Sequence, residues 1–192
     1  MRRAIPLIFC CSALAACVTP HPAAGPAWAP WDQRVTQLQH AAAWQMDGRA
    51  AAAVGGQGWQ ASLSWRQSGP TAEVHLAGPF GLGALVLKQG PDGVSLNDAP
   101  PSDAVLGEVQ QRLGFDLPLA VLRYWLLGAP DPGAAFDLTK NSQDRAQQLT
   151  QAGWTVDYDR YLPANGDLLP TRVVLTREGV RVRIVVDRWD GV

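Results

Sequence analysis

The stretch QGWQASLSWRQ, residues 57–67, constrains the fold more than any other part of the chain. Trp59, Ala61, Leu63 and Trp65 alternate with Gln60, Ser62, Ser64 and Arg66. A period of two places every large apolar group on one side of an extended strand and every polar group on the other. Such a strand needs a sheet around it and something dry against one face of that sheet. The pattern recurs. Ala72, Val74 and Leu76 alternate with Glu73 and His75, and Leu82 to Gln89 reads as a further strand, with a hairpin signal at Asp92-Gly93. Trp154, Val156 and Tyr158 alternate with Thr155, Asp157 and Asp159, and Val180, Val182, Ile184 and Val186 with Arg181 and Arg183. Hairpin spacing without regular strand–helix alternation predicts an antiparallel, curved sheet. The 192 residues suffice for one such domain with a real core.

Helical periodicity appears in two places. Trp31, Val35, Leu38 and Ala42 recur at helical spacing, with Asp32 near the start, where the helix dipole favours a carboxylate. Residues 102–128 predict a pair of helices. In the first, Ser102 caps, Val105, Leu106, Val109 and Leu113 form the stripe, and Gly114 ends it. Pro118 opens the second, LPLAVLRYWLLG, whose apolar residues cover so wide an arc that it should be buried on more than one side. These helices interrupt the sheet and must cover one of its faces.

The amino terminus has a different character. Met1-Arg2-Arg3 is followed by a short apolar segment and then Leu14-Ala15-Ala16-Cys17, which reads as a secretory leader over residues 1–16. Its ending resembles a bacterial lipobox, which would make Cys17 an acylated first residue; the plainer reading is an ordinary leader with a chance cysteine. Residues 17–30 contain four prolines and read as an extended tether, long enough at ~3.1 Å per residue to reach roughly 40 Å. The patterned domain is expected over residues 31–192. All three cysteines lie at or before Cys17, so the domain has no disulfide and no thiolate metal site. With Arg2 and Arg3 set aside, 14 basic and 17 acidic residues remain, which argues against a nucleic-acid partner. No run of roughly 18 apolar residues marks a membrane-spanning helix.

Catalysis finds little support. Only His40 and His75 lie beyond the leader and tether, one ending a helix and the other on a wet strand face. No G-x-S-x-G elbow, H-E-x-x-H or Walker loop is present, and Asp157 and Asp159 read as solvated strand residues. What stands out is apolar. Eight tryptophans either fill a core or line a cavity for an apolar ligand, and pattern alone leaves both open. The turn GPFGLG, residues 78–83, carries Phe80 and Leu82 where a polar tip is usual. The ring either folds back as a staple or stands out as an apolar tip.

Several stretches, in order over nearly the whole chain, resemble the LolB family of outer-membrane lipoprotein receptors. They are the lipobox, Trp44-x-x-x-Gly48-Arg49, the W-x-A-x-L-x-W strand, GPFG, and L-G-x-x-L-P-x-x-x-L-x-x-W-x-L-G from Leu113 to Gly128. Gly153-Trp154-x-Val156-x-Tyr158, Leu169-Pro170 and the span from Arg183 to Trp189 complete the set. The resemblance implies an unclosed antiparallel β-barrel, lidded by short helices, that encloses a hydrophobic cavity. It implies a monomer anchored to the periplasmic face of the outer membrane through Cys17, Val18 being the kind of second residue that goes with that address. Its partners would be a LolA-type carrier, the acyl chains of outer-membrane lipoproteins, and lipid, with no cofactor and no catalysis. Phe80 and Leu82 would form the membrane-contacting loop. Trp59, Leu63, Trp65, Val74 and Leu76, with Trp125 on the helical cover, are expected to line the acyl site. A lipocalin-like binder of another apolar ligand, a scaffold lipoprotein and a hydrolase with an unrecognised site stand as alternatives.

Overall fold

A computed structural model describes residues 29–81, 83–164 and 166–192, without the side chain of Phe80. The expected leader, Cys17 and most of the tether lie outside the described residues. A helix, α1 (Trp31–Gln39), leads into five strands: β1 (Ala43–Val54), β2 (Gln57–Ser68), β3 (Thr71–Ala77), β4 (Leu85–Gly90) and β5 (Gly93–Leu96). Two helices follow, α2 (Asp103–Leu113) and α3 (Leu119–Leu126). The chain closes with β6 (Phe136–Lys140), β7 (Ala146–Gln151), β8 (Trp154–Ala164), β9 (Asp167–Arg177) and β10 (Val180–Asp190).

All ten strands form one antiparallel sheet in the order β5-β4-β3-β2-β1-β10-β9-β8-β7-β6. The first and last strands of the chain therefore meet at its centre, and β5 and β6 are its two free edges. The segment that joins those edges is the one that holds α2 and α3. The sheet curls around these helices instead of pairing edge to edge, so the barrel stays unclosed. Alternation decides which side faces in: Leu63, Trp65, Val74, Leu76, Val182 and Ile184 are buried, while Ser62, Ser64, Arg66, Arg181 and Arg183 are exposed.

The centre of the sheet is pinned by tryptophan. Trp44 stacks on Trp65 at 5.8 Å and meets the edge of Trp189 at 5.5 Å, and the Trp189 indole donates to the Pro170 carbonyl at 2.9 Å. Each aromatic pair adds roughly 0.5–1.5 kcal/mol beyond its burial. Between β1 and β10 the register slips at Asp47/Gly48. A Cβ on Gly48 would lie 2.2 Å from the Val185 carbonyl oxygen, so the bulge admits only glycine. The W-x-x-x-G-R stretch is thus an architectural unit: one ring in the core, one bulge, one arginine outside.

The helices differ in detail from expectation. Ser102 caps α2 by accepting from the Val105 amide, and Gly114 closes it with φ +85°, where a side chain would be strained. The buried stripe of α2 is Val105, Val109 and Leu113; Leu106 is half exposed, because the helix presents a narrower face than the sequence suggested. Helix α3 buries Leu119, Leu122, Trp125 and Leu126. Helix α1 ends before Ala42, and its buried face is Trp31, Arg34 and Leu38. An arginine goes inside there because Asp167 and the Leu168 carbonyl accept from it at 2.7 and 2.6 Å. Strand β4 begins at Leu85, three residues later than the pattern placed it, because Pro79–Gly81 first makes one turn of tight helix. No helix among the described residues is long and apolar enough to cross a membrane.

Candidate functional site

Five of the six expected cavity residues come together. Trp59, Leu63 and Trp65 on β2 face Val74 and Leu76 on β3, with Leu63 opposite Leu76 and Trp65 opposite Val74. Around the same void stand Leu113, Phe115, Leu117 and Leu122 from the helical cover and Val182 and Ile184 from β10. Trp125 lies elsewhere. Its indole donates to Gln151 Oε1 at 2.9 Å, and it packs against the far half of the sheet. The cover residues were outside the expected set. Phe115 and Leu117 occupy the connector between two helices, where no period says which way a side chain turns.

The void measures about 30 Å³. That holds a water or little more, against the ~300–1,000 Å³ of a small-molecule site. The interior is packed as a hydrophobic core, and the lining of the void is apolar apart from the Trp59 and Trp65 indole nitrogens. Both of these have acceptors: Trp65 donates to Gln67 Oε1 at 3.0 Å, and Trp59 to the Leu113 carbonyl at 2.9 Å.

The cover is fastened unevenly. Arg123 of α3 donates to the Gly69 carbonyl in the β2–β3 turn at 2.8 Å. The Tyr158 hydroxyl donates to the Trp125 carbonyl at 2.9 Å, and burial pushes that hydroxyl well above its ordinary pKa, keeping it a donor. Gln151 uses all of its amide: it accepts from Trp125 and from the Asp131 amide, and donates to the Asp131 and Ala134 carbonyls. Helix α3 is thereby tied to both halves of the sheet. By contrast, the one side-chain hydrogen bond from the sheet to α2, among the described residues, is that of Trp59.

The loop after β3 runs through Pro79–Gly81. Pro79, Gly81, Gly83 and Ala84 are exposed, and the Gly81 amide donates to the Gly78 carbonyl at 3.0 Å. The Phe80 side chain and the whole of Leu82 lie outside the described residues.

The groups weighed for chemistry are dispersed. His75 contacts Glu73 on the exposed face, and that hydrogen bond lowers the Glu73 pKa. His40 ends α1 with its ring on the Thr36 carbonyl. Asp157 accepts from Gln148, and Asp159 pairs with Arg172. Among the described residues no three His, Cys, Asp or Glu side chains gather to hold a metal.

An unclosed antiparallel sheet curled around a helical cover, with an apolar lining beneath it, defines a class of half-open β-barrels. A LolA superfamily protein from Nitrosomonas europaea has this fold, with a TM-score of 0.53 over 84% of this chain and 93% of its own, at 8% identity. The sequence narrows the class: residues 42–189 match the family described as outer membrane lipoprotein LolB. The chain is 36% identical to outer-membrane lipoprotein LolB of Alkalilimnicola ehrlichii, over 92% of this chain and 90% of that one. It is 35% identical to the LolB of Halorhodospira halophila, over 76% and 74%. The chain belongs to the LolB family.

Proposed function

We propose that this protein is anchored through an acylated Cys17 to the outer membrane, on its periplasmic face. There it takes lipoproteins from a LolA-type carrier and inserts them into lipid. Residues 1–16 are the leader, 17–30 the tether, and 31–192 the receptor acting as a monomer. The observation that carries this reading is the apolar lining beneath a cover fastened at one helix and loosely held at the other. Val105, Val109 and Leu113 are the buried face of α2, and of these Leu113 stands at the void. Their burial is worth about 5–9 kcal/mol at ~1.5–3 kcal/mol each. An acyl chain of roughly 16 carbons represents over ~10 kcal/mol at ~0.8 kcal/mol per methylene. A chain handed from the carrier's apolar interior to this one never meets water, and its contacts with the lining replace those that α2 gives up. Direction then needs only a modest affinity gap, about 1.4 kcal/mol for tenfold, with neither ATP nor a cofactor. Trp59, Leu63, Trp65, Val74 and Leu76 hold the chain, and Trp125 anchors the fixed part of the cover.

Deposition falls to the loop that carries Phe80 and Leu82. An apolar tip lowers the cost of bringing the cavity mouth to the bilayer, whereas a charge there must stay hydrated. The test scores two steps with a form lacking the anchor: carrier to receptor, then receptor to liposome. Phe80→Glu should keep its stability within ~0.5 kcal/mol, accept cargo at the normal rate and fail to deposit it. Normal deposition by the variant refutes the membrane role of the tip, and failure of the unmodified receptor to accept cargo refutes the function.

A further inference from the structure

The outward face of the sheet carries a second constellation, assembled by register. Arg49 on β1 is opposite Val185 on β10, Val185 is opposite Arg172 on β9, and Arg172 is opposite Arg160 on β8. On the adjoining row Ala51 is opposite Arg183. With neighbouring strands ~4.8 Å apart, Arg49 and Arg172 rise about 10 Å from one another, and Arg183 stands on the strand between them. Arg49, Arg172 and Arg183 line one open groove of about 900 Å³ with Ala51 and Val185 as its apolar floor.

The far wall of that groove is the loop after β3. Arg49 is opposite Ser62, whose hydroxyl donates to the Ala77 carbonyl at 3.2 Å, and Ala77, Pro79 and Gly81 border the groove. Charge on this face is unbalanced. Arg49 pairs with Asp187 at 2.8 Å and Arg172 with Asp159 at 3.3 Å, all four side chains being exposed. Arg160 and Arg183 have no ion-pair partner among the described residues. Arg160 stands opposite Arg172 where the β8–β9 register slips, beside the Asp159 that pairs with Arg172. This cationic excess sits in a chain of net charge -1.

We propose that this groove binds the phosphates of phospholipid headgroups, so that the protein docks on an anionic membrane surface with Arg49, Arg172 and Arg183 beside the apolar loop. The inference rests on the membrane-facing function proposed above. Guanidinium is suited to phosphate because its fork donates two parallel hydrogen bonds. The long arginine stems can lie along Ala51 and Val185 while their heads reach the headgroup plane. Cations on the sheet then engage the headgroup layer, and they set which way the barrel faces the lipid.

The test uses the full receptor with its anchoring cysteine replaced, Cys17→Ala, and vesicles of phosphatidylcholine alone or mixed with phosphatidylglycerol. Co-sedimentation should be stronger with phosphatidylglycerol and weaken as salt shortens the screening length. Each of Arg49→Gln, Arg172→Gln and Arg183→Gln should lower affinity for the mixed vesicles about fivefold. Arg112→Gln, on α2 and outside the groove, should leave it unchanged. Inorganic phosphate in place of vesicles should compete only weakly; tight competition would mean a free-anion site and overturn the lipid assignment. Equal loss from Arg112→Gln would reduce the effect to overall charge, and retention of binding by the triple variant would overturn the proposal. Cargo acceptance from the carrier, measured without vesicles, should be unchanged in the triple variant. Loss of that step instead would place the arginines at the carrier contact and also overturn it.

Discussion

Trp59→Phe isolates the fastening of α2. The indole donates to the Leu113 carbonyl at 2.9 Å, and that carbonyl belongs to the last turn of the helix, where no backbone amide is available to it. Phenylalanine keeps an aromatic ring against the void but removes the donor. A hydrogen bond of this kind contributes a net ~0.5–1.5 kcal/mol. A loss of about 1 kcal/mol raises the population with α2 released about fivefold. Global stability should fall by the same amount, read as a lower urea midpoint with unchanged slope. Hydrogen exchange at the amides of residues 105–113 should be faster than global unfolding allows and quicken about fivefold, while that of α3, held by Arg123, Tyr158 and Gln151, should follow global stability alone. If release of α2 admits cargo, uptake from the carrier should also quicken by up to about fivefold. Faster exchange in α2 with unchanged or slower uptake would refute α2 as the gate. Equal protection of α2 and α3 in the unsubstituted protein would show that the two helices open as one, contrary to their separate fastenings.

Three further perturbations probe the frame. Gly48→Ala drives a methyl into the Val185 carbonyl across the β1–β10 bulge, and should cost about 3 kcal/mol in chemical unfolding, since backbone cannot step aside as a side chain would. Asp167→Asn leaves the buried guanidiniums of Arg34 and Arg145 without their carboxylate, with Arg34 Nη1 and Arg145 Nε already lacking partners. Because Asp167 keeps about a quarter of its exposure, the loss should sit near 3 kcal/mol, the lower end for a broken buried pair, again read by urea unfolding. Asp144 is held below the usual carboxylate range, first by the Lys140 ammonium and then by the Trp31 amide at the start of α1. Its contribution is therefore complete above the unfolded carboxylate pKa of ~3.9 and fades as pH falls through the lower folded value. Asp144→Asn should flatten that part of the acid limb of the stability–pH curve, and an identical limb in both proteins would remove Asp144 from the account.

Period-two alternation was legible in the sequence because strand geometry is local: β2, β3, β8 and β10 announce their inward residues without reference to the rest of the chain. The caps were legible for the same reason, Ser102 needing only its own amide neighbours. The family pattern could be read as well, and the structure gives much of it an architectural meaning in the bulge at Gly48 and the ring cluster of Trp44, Trp65 and Trp189. Other features depended on partners distant in sequence. Arg34 is buried because Asp167 arrives 133 residues later, which no window around α1 can reveal. Leu106 stays out because the curl of the sheet, not helical periodicity, decides how much of α2 it can cover. The row of arginines exists only in the register of four strands. Whether the tryptophans fill a core or line a cavity is a matter of fit between facing surfaces, and among the described residues a void of about 30 Å³ is the small remainder left when two large surfaces meet. Composition sets what those surfaces are made of; only their packing sets the space between them.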